Sequence, residues 1–578
     1  MSPQINWALR PADESQVDQL AATMNVPRAF ARVLWLRGLR DPKVAQRFLD
    51  ARDNLAWLET PLLTPGMERA VARIRRAIDN QEPFVVYGDY DCDGVTSTAL
   101  LYRYLKRGLG ARCEAYLPDR FKDGYGVTPQ AVERIASTGV RLILTCDNGI
   151  SAVAAAQKAR ELGVDLVVTD HHQPPECLPE VLAIVHPAEG FAHLKDLAGV
   201  GVAFLLVIAL EGGFTQRLAH FLDLVAIGTV GDVVPLNGPN RSLVWGGLER
   251  FRHGRNRFPG IAALAQVAGT ELTRARAEDL AFQLVPRLNA AGRLENPRIG
   301  FELLTTNHHD EAQTLAESLD RINRERRGLS SELQSELDVR LQREWDFEQE
   351  PFVVLAESHF HHGITGIIAG RIKERYRCPV LLFSGHPGTL WKASGRSPEG
   401  LHLYEALHAV RDHLIGFGGH AQAAGCVAEE AQLPIIRKAL NRYVREKGWK
   451  PAADEVLLDA ELPFSQADDS FLESLDLLEP YGQRNPAPIF GLFHAQVVRQ
   501  RVHKTHLFLE VDDGETCAEV IAWNRAADAP ALHGWVHLTY RLKYNTFRGR
   551  KTLQYVAERL EPASAPCAIS LATGSIDR

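Results

Sequence analysis

Residues 84–94 read FVVYGDYDCDG. Phe84, Val85, Val86 and Tyr87 form a short β-branched and aromatic run suited to a buried strand, which breaks at Gly88 into Asp89, Asp91, Asp93 and Gly94. Three carboxylates therefore stand at the end of one strand. A spacing of two along extended backbone aims them to one side, and like charges that close repel unless a cation lies between them. Oxygen ligands of this kind suit Mg²⁺ or Mn²⁺. An acidic turn in solvent would use the same residues, so the rest of the chain has to decide.

Working outward, a helical pattern at about 68–80 leads into this strand, and VTSTALLYRYLKRGLG after Gly94 has helical periodicity ending at Gly108 or Gly110. The unit of strand, acidic loop and helix then recurs. LILTCDNGIS at 142–151 precedes the Ala-rich AVAAAQKARELG, and VDLVVTDHHQPPE comes next at 164–176. Strands alternating with helices over such distances imply a parallel, doubly wound sheet, whose ligands bind beyond the carboxyl ends of the strands. The polar residues fall at those ends. Asp147 follows LILTC, Asp170, His171 and His172 follow LVVT, and Asp232 follows the apolar run DLVAIGTVG at 223–231, which reads as another strand buried on both faces. A lone buried His is more often a satisfied core residue than a ligand. Asp and His at several strand ends that a fold gathers together point instead to a metal site.

Composition sets the outer bounds. With 578 residues, 45% hydrophobic and 24% charged, this is a globular chain long enough for several domains with full cores. The net charge of -7 gives no global basic signature, so a nucleic-acid partner has to be held by local patches. Eight scattered cysteines, with no CxxC pair, read as reduced thiols of a cytoplasmic protein. The N-terminus lacks a basic region followed by an apolar core, and the apolar segment 200–210 is too short to span a bilayer.

Elsewhere the pattern changes by region. Residues 1–52 read as a helical segment, with apolar spacing through Val26, Phe30, Val33 and Leu34. Residues 306–346 are charged, helix-favouring and free of Pro, and read as a long connecting helix whose Arg321, Arg324, Arg326 and Arg327 either touch phosphates or form a solvated face. A second, smaller α/β domain occupies 347–447. Its FGGHAQAAG allows close backbone approach to a ligand, although a tight turn opening a helix would use the same glycines. From 452 to 562 short strands separated by turn signals suggest a small barrel, and 563–578 looks like a loose tail. Within the barrel, Arg541, Lys543, Arg548, Arg550 and Lys551 surround Tyr544 and Phe547, a basic hairpin with interleaved aromatics suited to single-stranded nucleic acid.

Several of these stretches resemble a known family. DYDCDG at 89–94, LPDRFKDGYG at 117–126, CDNGIS at 146–151 and TDHH at 169–172 resemble the successive motifs of the DHH phosphoesterases. AGVGVAF at 198–204, GTVGDVVPL at 228–236 and PRLNAAGRL at 286–294 narrow the resemblance to the RecJ family of single-strand-specific DNA exonucleases. It implies an α/β multidomain architecture: a parallel-sheet DHH domain at 53–305, the connecting helix, a DHHA1 domain and a C-terminal OB-fold β-barrel. It also implies that Asp89, Asp91, Asp93, Asp147, His171 and Asp232 ligate two divalent ions, Mg²⁺ or Mn²⁺, with Asp147 as the bridge. His172 resembles the histidine beside the scissile phosphate, and Asp170 the residue that orients the pair. In the matched motifs Arg120, Arg287, Asn289 and Arg293 are candidates for holding phosphate, with an Arg that bridges two loops as the plainer alternative. Arg371, Arg396, Ser397 and His420 are the DHHA1 candidates for gripping the strand. One departure stands out: many members have a His where this chain has Tyr87, and because phenol is a poor Mg²⁺ ligand the first metal site leans on Asp89 or water instead.

The resulting expectation is hydrolysis of single-stranded DNA from its 5′ end, with release of mononucleotides, in recombination and repair. The polarity comes from the resemblance, as do a single-strand-binding protein and a RecQ-type helicase as partners and a monomeric state. The competing readings are a DHH phosphodiesterase of short oligonucleotides or small phosphate esters, and a scaffold that binds DNA without cutting it. Relatives of the first kind generally lack a C-terminal barrel, and retention of every acidic ligand and both histidines speaks against the second.

Overall fold

The computed structural model describes residues 6–51, 54–59, 63–120, 123–124, 126–188, 192–451, 455–547 and 550–564. The chain divides into two units, one of residues 55–234 and 246–452, the other of residues 1–54, 235–245 and 453–578.

In the first unit, Phe84–Tyr87 is a strand with all four residues buried. It pairs in parallel with Cys113–Tyr116 on one side and Leu142–Cys146 on the other, and Asp165–Thr169 and Ala183–Val185 extend the sheet, again in parallel. The chain therefore leaves Phe84–Tyr87 toward one edge and returns on its other side at Leu142–Cys146. Connections that diverge in this way open a crevice at the strands' carboxyl ends. DYDCDG and CDNG both emerge there.

Two expectations about this region change. The run 223–231 is not a strand but part of the helix Leu222–Gly231, buried from Leu222 to Val230, so Asp232 caps a helix end. An unbroken apolar run has no period, and a helix buried all round reads like a strand buried on both faces. The DYDCDG motif is not extended throughout either. Asp91 is the N-cap of the helix Cys92–Tyr102 and Asp93 lies in its first turn, so the acidic loop straddles a strand end and a helix start.

The connecting helix runs His309–Glu344 over 36 residues. Its second half supplies Leu333, Leu337 and Leu341 to a core shared with Val353, Leu355, Ile364 and Ile368. The sheet over that core runs in the order Gly416–Gly419, Ala423–Glu429, Leu390–Arg396, Val380–Ser384, Val353–Glu357, antiparallel except for the last pair. FGGHAQAAG lies in the hairpin between Gly416–Gly419 and Ala423–Glu429, so its glycines do not open a helix.

The second unit holds a barrel of Phe490–His503, His506–Asp512, Cys517–Ala522, Gly534–Phe547 and Arg550–Pro562. Phe490–His503 pairs with both His506–Asp512 and Gly534–Phe547, which closes the ring, while Cys517–Ala522 meets Arg550–Pro562 in parallel. This is the five-stranded OB topology. Helices Glu14–Met24, Arg28–Leu36 and Pro42–Ala51 pack on the same core through Val17, Leu20, Phe30, Leu34 and Leu49. Residues 1–52 are not wholly helical, because Asn6–Leu9 is a strand paired in parallel with Glu455–Leu458. A partner 449 residues away leaves no trace in local periodicity. The expected tail lies outside the described residues from 565 onward. No helix among the described residues is long and apolar enough to cross a membrane.

Candidate metal centre

Four segments bring their side chains to the crevice. Asp147 follows the strand Leu142–Cys146 in the left-handed conformation, φ 62°, with its amide donating to the Thr169 carbonyl at 3.0 Å. Such a backbone is uncommon outside glycine, although Asp tolerates it better than most residues. It turns the carboxylate back over the strand ends. Asp93 is held by the first turn of the helix Gly199–Glu211, whose Gly199 and Val200 amides donate to its two oxygens at 2.6 and 2.8 Å. Asp91 accepts from the Gly94 amide at 3.0 Å and Asp89 from the Tyr90 amide at 2.8 Å.

His171 sits at the meeting point. Its Nε2 lies 3.2 Å from Asp147 Oδ1, 3.5 Å from Asp232 Oδ2 and 3.9 Å from Asp93 Oδ2. His171 Nε2, Asp147 Oδ1 and Asp232 Oδ2 are all buried with no hydrogen-bond partner among the described residues. Among the described residues three groups have ligand atoms within 4.8 Å of one another: Asp93 with His171 and Asp232, Asp147 with His171 and His172, and Asp89 with Asp91 and Asp147. Asp147 is shared by two groups, as is His171. Orphaned buried donors of these types, oxygen with imidazole nitrogen, fit divalent cations.

Electrostatics points the same way. Burial and the neighbouring acids push Asp89 and Asp147 well above the usual carboxylate range, Asp93 up to about 7 and Asp232 up to about 9. Burial brings His171 down to about 4, which keeps its imidazole neutral as a ligand must be. Asp170 behaves differently. Burial alone would raise it, but the His172 imidazole at 2.8 Å and the amides of Ile150, His171 and His172 hold it below the ordinary range. At His172 burial is the largest single influence and pulls downward, but the Asp170 hydrogen bond and the charges of Asp170, Asp89 and Asp93 together raise it. The His172 side chain is 40% exposed against 10% for His171.

Other candidates have different places. Tyr87 is buried, donates its hydroxyl to the Gly126 carbonyl at 3.0 Å and stacks on Tyr116 at 4.8 Å, a structural position. Arg287 bridges helices rather than waiting for phosphate, with Asp320 Oδ1 at 2.9 Å from its Nη2 and the Gln283 carbonyl at 2.6 Å from its Nη1. Asn289 Oδ1 accepts the Cys92 amide at 2.8 Å, which pins the acidic loop. The Ser397 hydroxyl donates to the Leu401 carbonyl at 2.8 Å and is buried in a turn. Arg287 and Ser397 already donate to protein partners, whereas Asn289 is engaged through its accepting Oδ1 and a phosphate would be met by its Nδ2–H.

Arg120, Arg293 and Arg396 remain together. Burial first, then mutual repulsion with Arg120, Arg326 and Arg396, brings Arg293 down to about 10, and Arg396 is lowered by burial and Arg120. Arg120 lies over the Tyr90 ring at 5.3 Å. Cations crowded in this way suit an anionic ligand, although Arg293 and Arg396 each also donate to a backbone carbonyl, of Gly363 and Gly395. On the connecting helix, Arg321 pairs with Glu295 and Arg324 with Asp320, so both are drawn into ion pairs. Arg371 and His420 are exposed.

In the barrel, Arg541 pairs with Glu558. The Tyr544 hydroxyl, pushed up to about 12 by burial and its hydrogen bond to Asp469, belongs to a part-exposed side chain that also packs on the barrel core, so Arg541 and Tyr544 both have protein partners in this structure. Lys543 is exposed. Arg548 and the side chains of Phe547, Arg550 and Lys551 lie outside the described residues. Gly199 carries no role in the reading of the sequence. A Cβ there would lie 2.7 Å from Asp147 Oδ1, so the glycine makes room for the carboxylate, and only the unbroken small-residue run AGVG could have signalled it.

Residues 83–229 match the DHH family N-terminal domain, 349–446 the DHHA1 domain and 458–559 the RecJ OB domain. The single-stranded-DNA-specific exonuclease RecJ of Escherichia coli (strain K12) is 38% identical, over 97% of this chain and 100% of its own length. The chain belongs to the RecJ family. The crystal structure of RecJ in complex with Mn²⁺ from Thermus thermophilus covers 98% of this chain and 81% of that one, at TM-score 0.82 and 32% identity. RecJ in complex with Mg²⁺ from the same organism covers 97% and 79%, at TM-score 0.74 and 30% identity.

Proposed function

We propose that the chain is a metal-dependent exonuclease that hydrolyses single-stranded DNA from its 5′ end, releasing mononucleotides, in DNA recombination and repair. The observation that carries this reading is the buried trio of His171 Nε2, Asp147 Oδ1 and Asp232 Oδ2, without a hydrogen-bond partner among the described residues, beside a second, more exposed histidine. Asp89, Asp91, Asp93, Asp147, His171 and Asp232 would hold two ions, Mg²⁺ or Mn²⁺, and Asp147 belongs to two of the donor groups. A pair of such ions supplies Lewis acidity for the phosphate and acidifies water.

The protein's own residues do the rest. Asp170 holds the His172 ring by Nδ1 and sets the direction in which it meets the scissile phosphate. The helix start at Gly199 and Val200 keeps Asp93 in place. Arg120, Arg293 and Arg396 grip the phosphates, with Arg371 and His420 further along the strand. The barrel binds the polymer through Lys543 and the hairpin tip, a reason to favour long strands over small phosphate esters. A cytoplasmic location, a monomeric state, and a single-strand-binding protein and a RecQ-type helicase as partners complete the proposal.

The test is nucleotide release from 5′- and 3′-labelled single strands with Mn²⁺, Mg²⁺ or chelator, beside Asp147→Ala as a control. Label-independent cutting, or undiminished activity in Asp147→Ala, overturns the reading.

A further inference from the structure

His186 lies immediately beyond the strand Ala183–Val185 and is buried, 8% exposed. Its two ring nitrogens have different partners. The Ala188 amide donates to Nδ1 at 3.2 Å, which makes Nδ1 the acceptor and leaves the proton on Nε2. Nε2 therefore donates to the His172 carbonyl, 2.8 Å away. One residue earlier, the Val185 carbonyl accepts the Asp170 amide at 3.2 Å. The end of this strand thus holds the segment 170–172 at both of its ends, while the Asp170 carboxylate holds it from within through the amides of His171 and His172.

We propose that His186 is a positioning residue for the histidine pair: its Nε2–H fixes the His172 carbonyl and so the turn that aims the His171 and His172 rings. The inference rests on the proposed nuclease reading. Ring direction depends on the peptide that carries it, and the Asp170 carboxylate fixes the ring from the Nδ1 side of His172. Without the His186 hydrogen bond, the carbonyl end of the turn loses its tie to the neighbouring strand, and the rings sweep a wider arc. Outer contacts that orient active groups are typically worth about 10- to 100-fold in activity.

The experiment uses the full chain and three substitutions. His186→Phe keeps the ring and removes the donor, His186→Gln keeps a donor near the position of Nε2, and His186→Ala empties the place. Nucleotide release from 5′-labelled single strand with Mn²⁺ gives kcat and KM, and amide exchange across residues 169–174 is read in the metal-free protein. His186→Phe and His186→Ala are expected to lose about 10- to 100-fold in kcat with KM for the strand within about threefold, and to exchange faster at 170–173. His186→Gln is expected to stay within about threefold of the parent in kcat and to keep its exchange protection. A folding failure of the Phe or the Ala variant leaves the other to decide. Equal impairment of the Gln and Phe variants, or a Phe variant as active as the parent, overturns the inference. If the parent chain itself releases no nucleotides, the nuclease reading falls, and the exchange data alone decide whether His186 holds the turn.

Discussion

Substituting Gly199 tests the metal centre without touching a ligand. The glycine is the first residue of the helix Gly199–Glu211 and lies against Asp147. An added Cβ would meet Asp147 Oδ1 at 2.7 Å, its Cβ at 2.8 Å and its Cγ at 3.0 Å, where ordinary contact begins at 3.4 Å. Alanine there forces a retreat of about 0.7 Å at the carboxylate oxygen, the difference between those limits. Asp147 cannot swing away easily, because its amide is tied to the Thr169 carbonyl and its backbone is already left-handed. The Gly199 amide meanwhile holds Asp93, so the strain reaches a second acid. Metal ligands tolerate displacements of only about 0.2 Å. Gly199→Ala is therefore expected to weaken Mn²⁺ binding by about 10- to 100-fold, or about 1.4 to 2.8 kcal/mol, and to lower turnover with it. Overpacking should also cost the metal-free fold about 1–3 kcal/mol. Calorimetric titration with Mn²⁺, beside a thermal melt, separates the two effects. A folded Gly199→Ala protein with parental Mn²⁺ affinity and turnover would refute the reasoning.

The histidines should part company: His171→Ala lowers Mn²⁺ occupancy, while His172→Ala lowers turnover at nearly unchanged occupancy, and equal loss of bound Mn²⁺ in both reverses the assignment. In the metal-free protein Asp93 at about 7 and Asp232 at about 9 bind protons that the unfolded chain, with ordinary carboxylates, releases. Their contribution to stability is therefore highest in acid and falls as pH rises between about 4 and 9; above about pH 6.5, where the unfolded chain no longer binds the proton that the buried His171 refuses, the metal-free melting temperature should fall toward about pH 8, and less steeply in Asp232→Asn. Saturating Mn²⁺, at about 100 times its Kd, should restore about 2.7 kcal/mol; an equally steep fall in Asp232→Asn would exclude this origin. Replacing Arg548, Arg550 and Lys551 with Ala should flatten the salt dependence of single-strand affinity by about 2 in the log–log slope, and an unaltered slope retires the hairpin as a DNA grip.

Much of the site is legible in the sequence because a parallel sheet writes itself plainly. Strands buried on both faces read as apolar runs, and acids at their ends are conspicuous. Asp89, Asp147, Asp170 and the two histidines are visible on that ground alone. Asp232 stands out for the wrong local reason, since a buried helix gives the same run as a buried strand. Side chains whose role depends on a distant partner are easily misread. Nothing in PRLNAAGRL shows that Arg287 meets Asp320 or that Asn289 receives the Cys92 amide, and nothing near Tyr544 shows Asp469. Charge and motif give the type of group available. The partner decides whether it is still available to a ligand.

The same distinction explains how one sheet end keeps acids with opposite tasks. Both Asp170 oxygens are engaged by protein donors, and the carboxylate stays ionised below its ordinary range although it is buried. Asp147 and Asp232 each keep an oxygen with no protein donor among the described residues, and burial beside other acids raises them instead. Adding a hydrogen-bond donor to either would relieve it at the expense of the donor set, because a satisfied carboxylate has less to offer a cation. Asp93 stands between these cases, with two amides that partly offset its burial and its closeness to Asp91. A fold that satisfied every acid would need no metal, and one that satisfied none would leave His172 unoriented. Placing the full set of donors on Asp170 and withholding it from Asp147 and Asp232 meets both needs within a few ångströms.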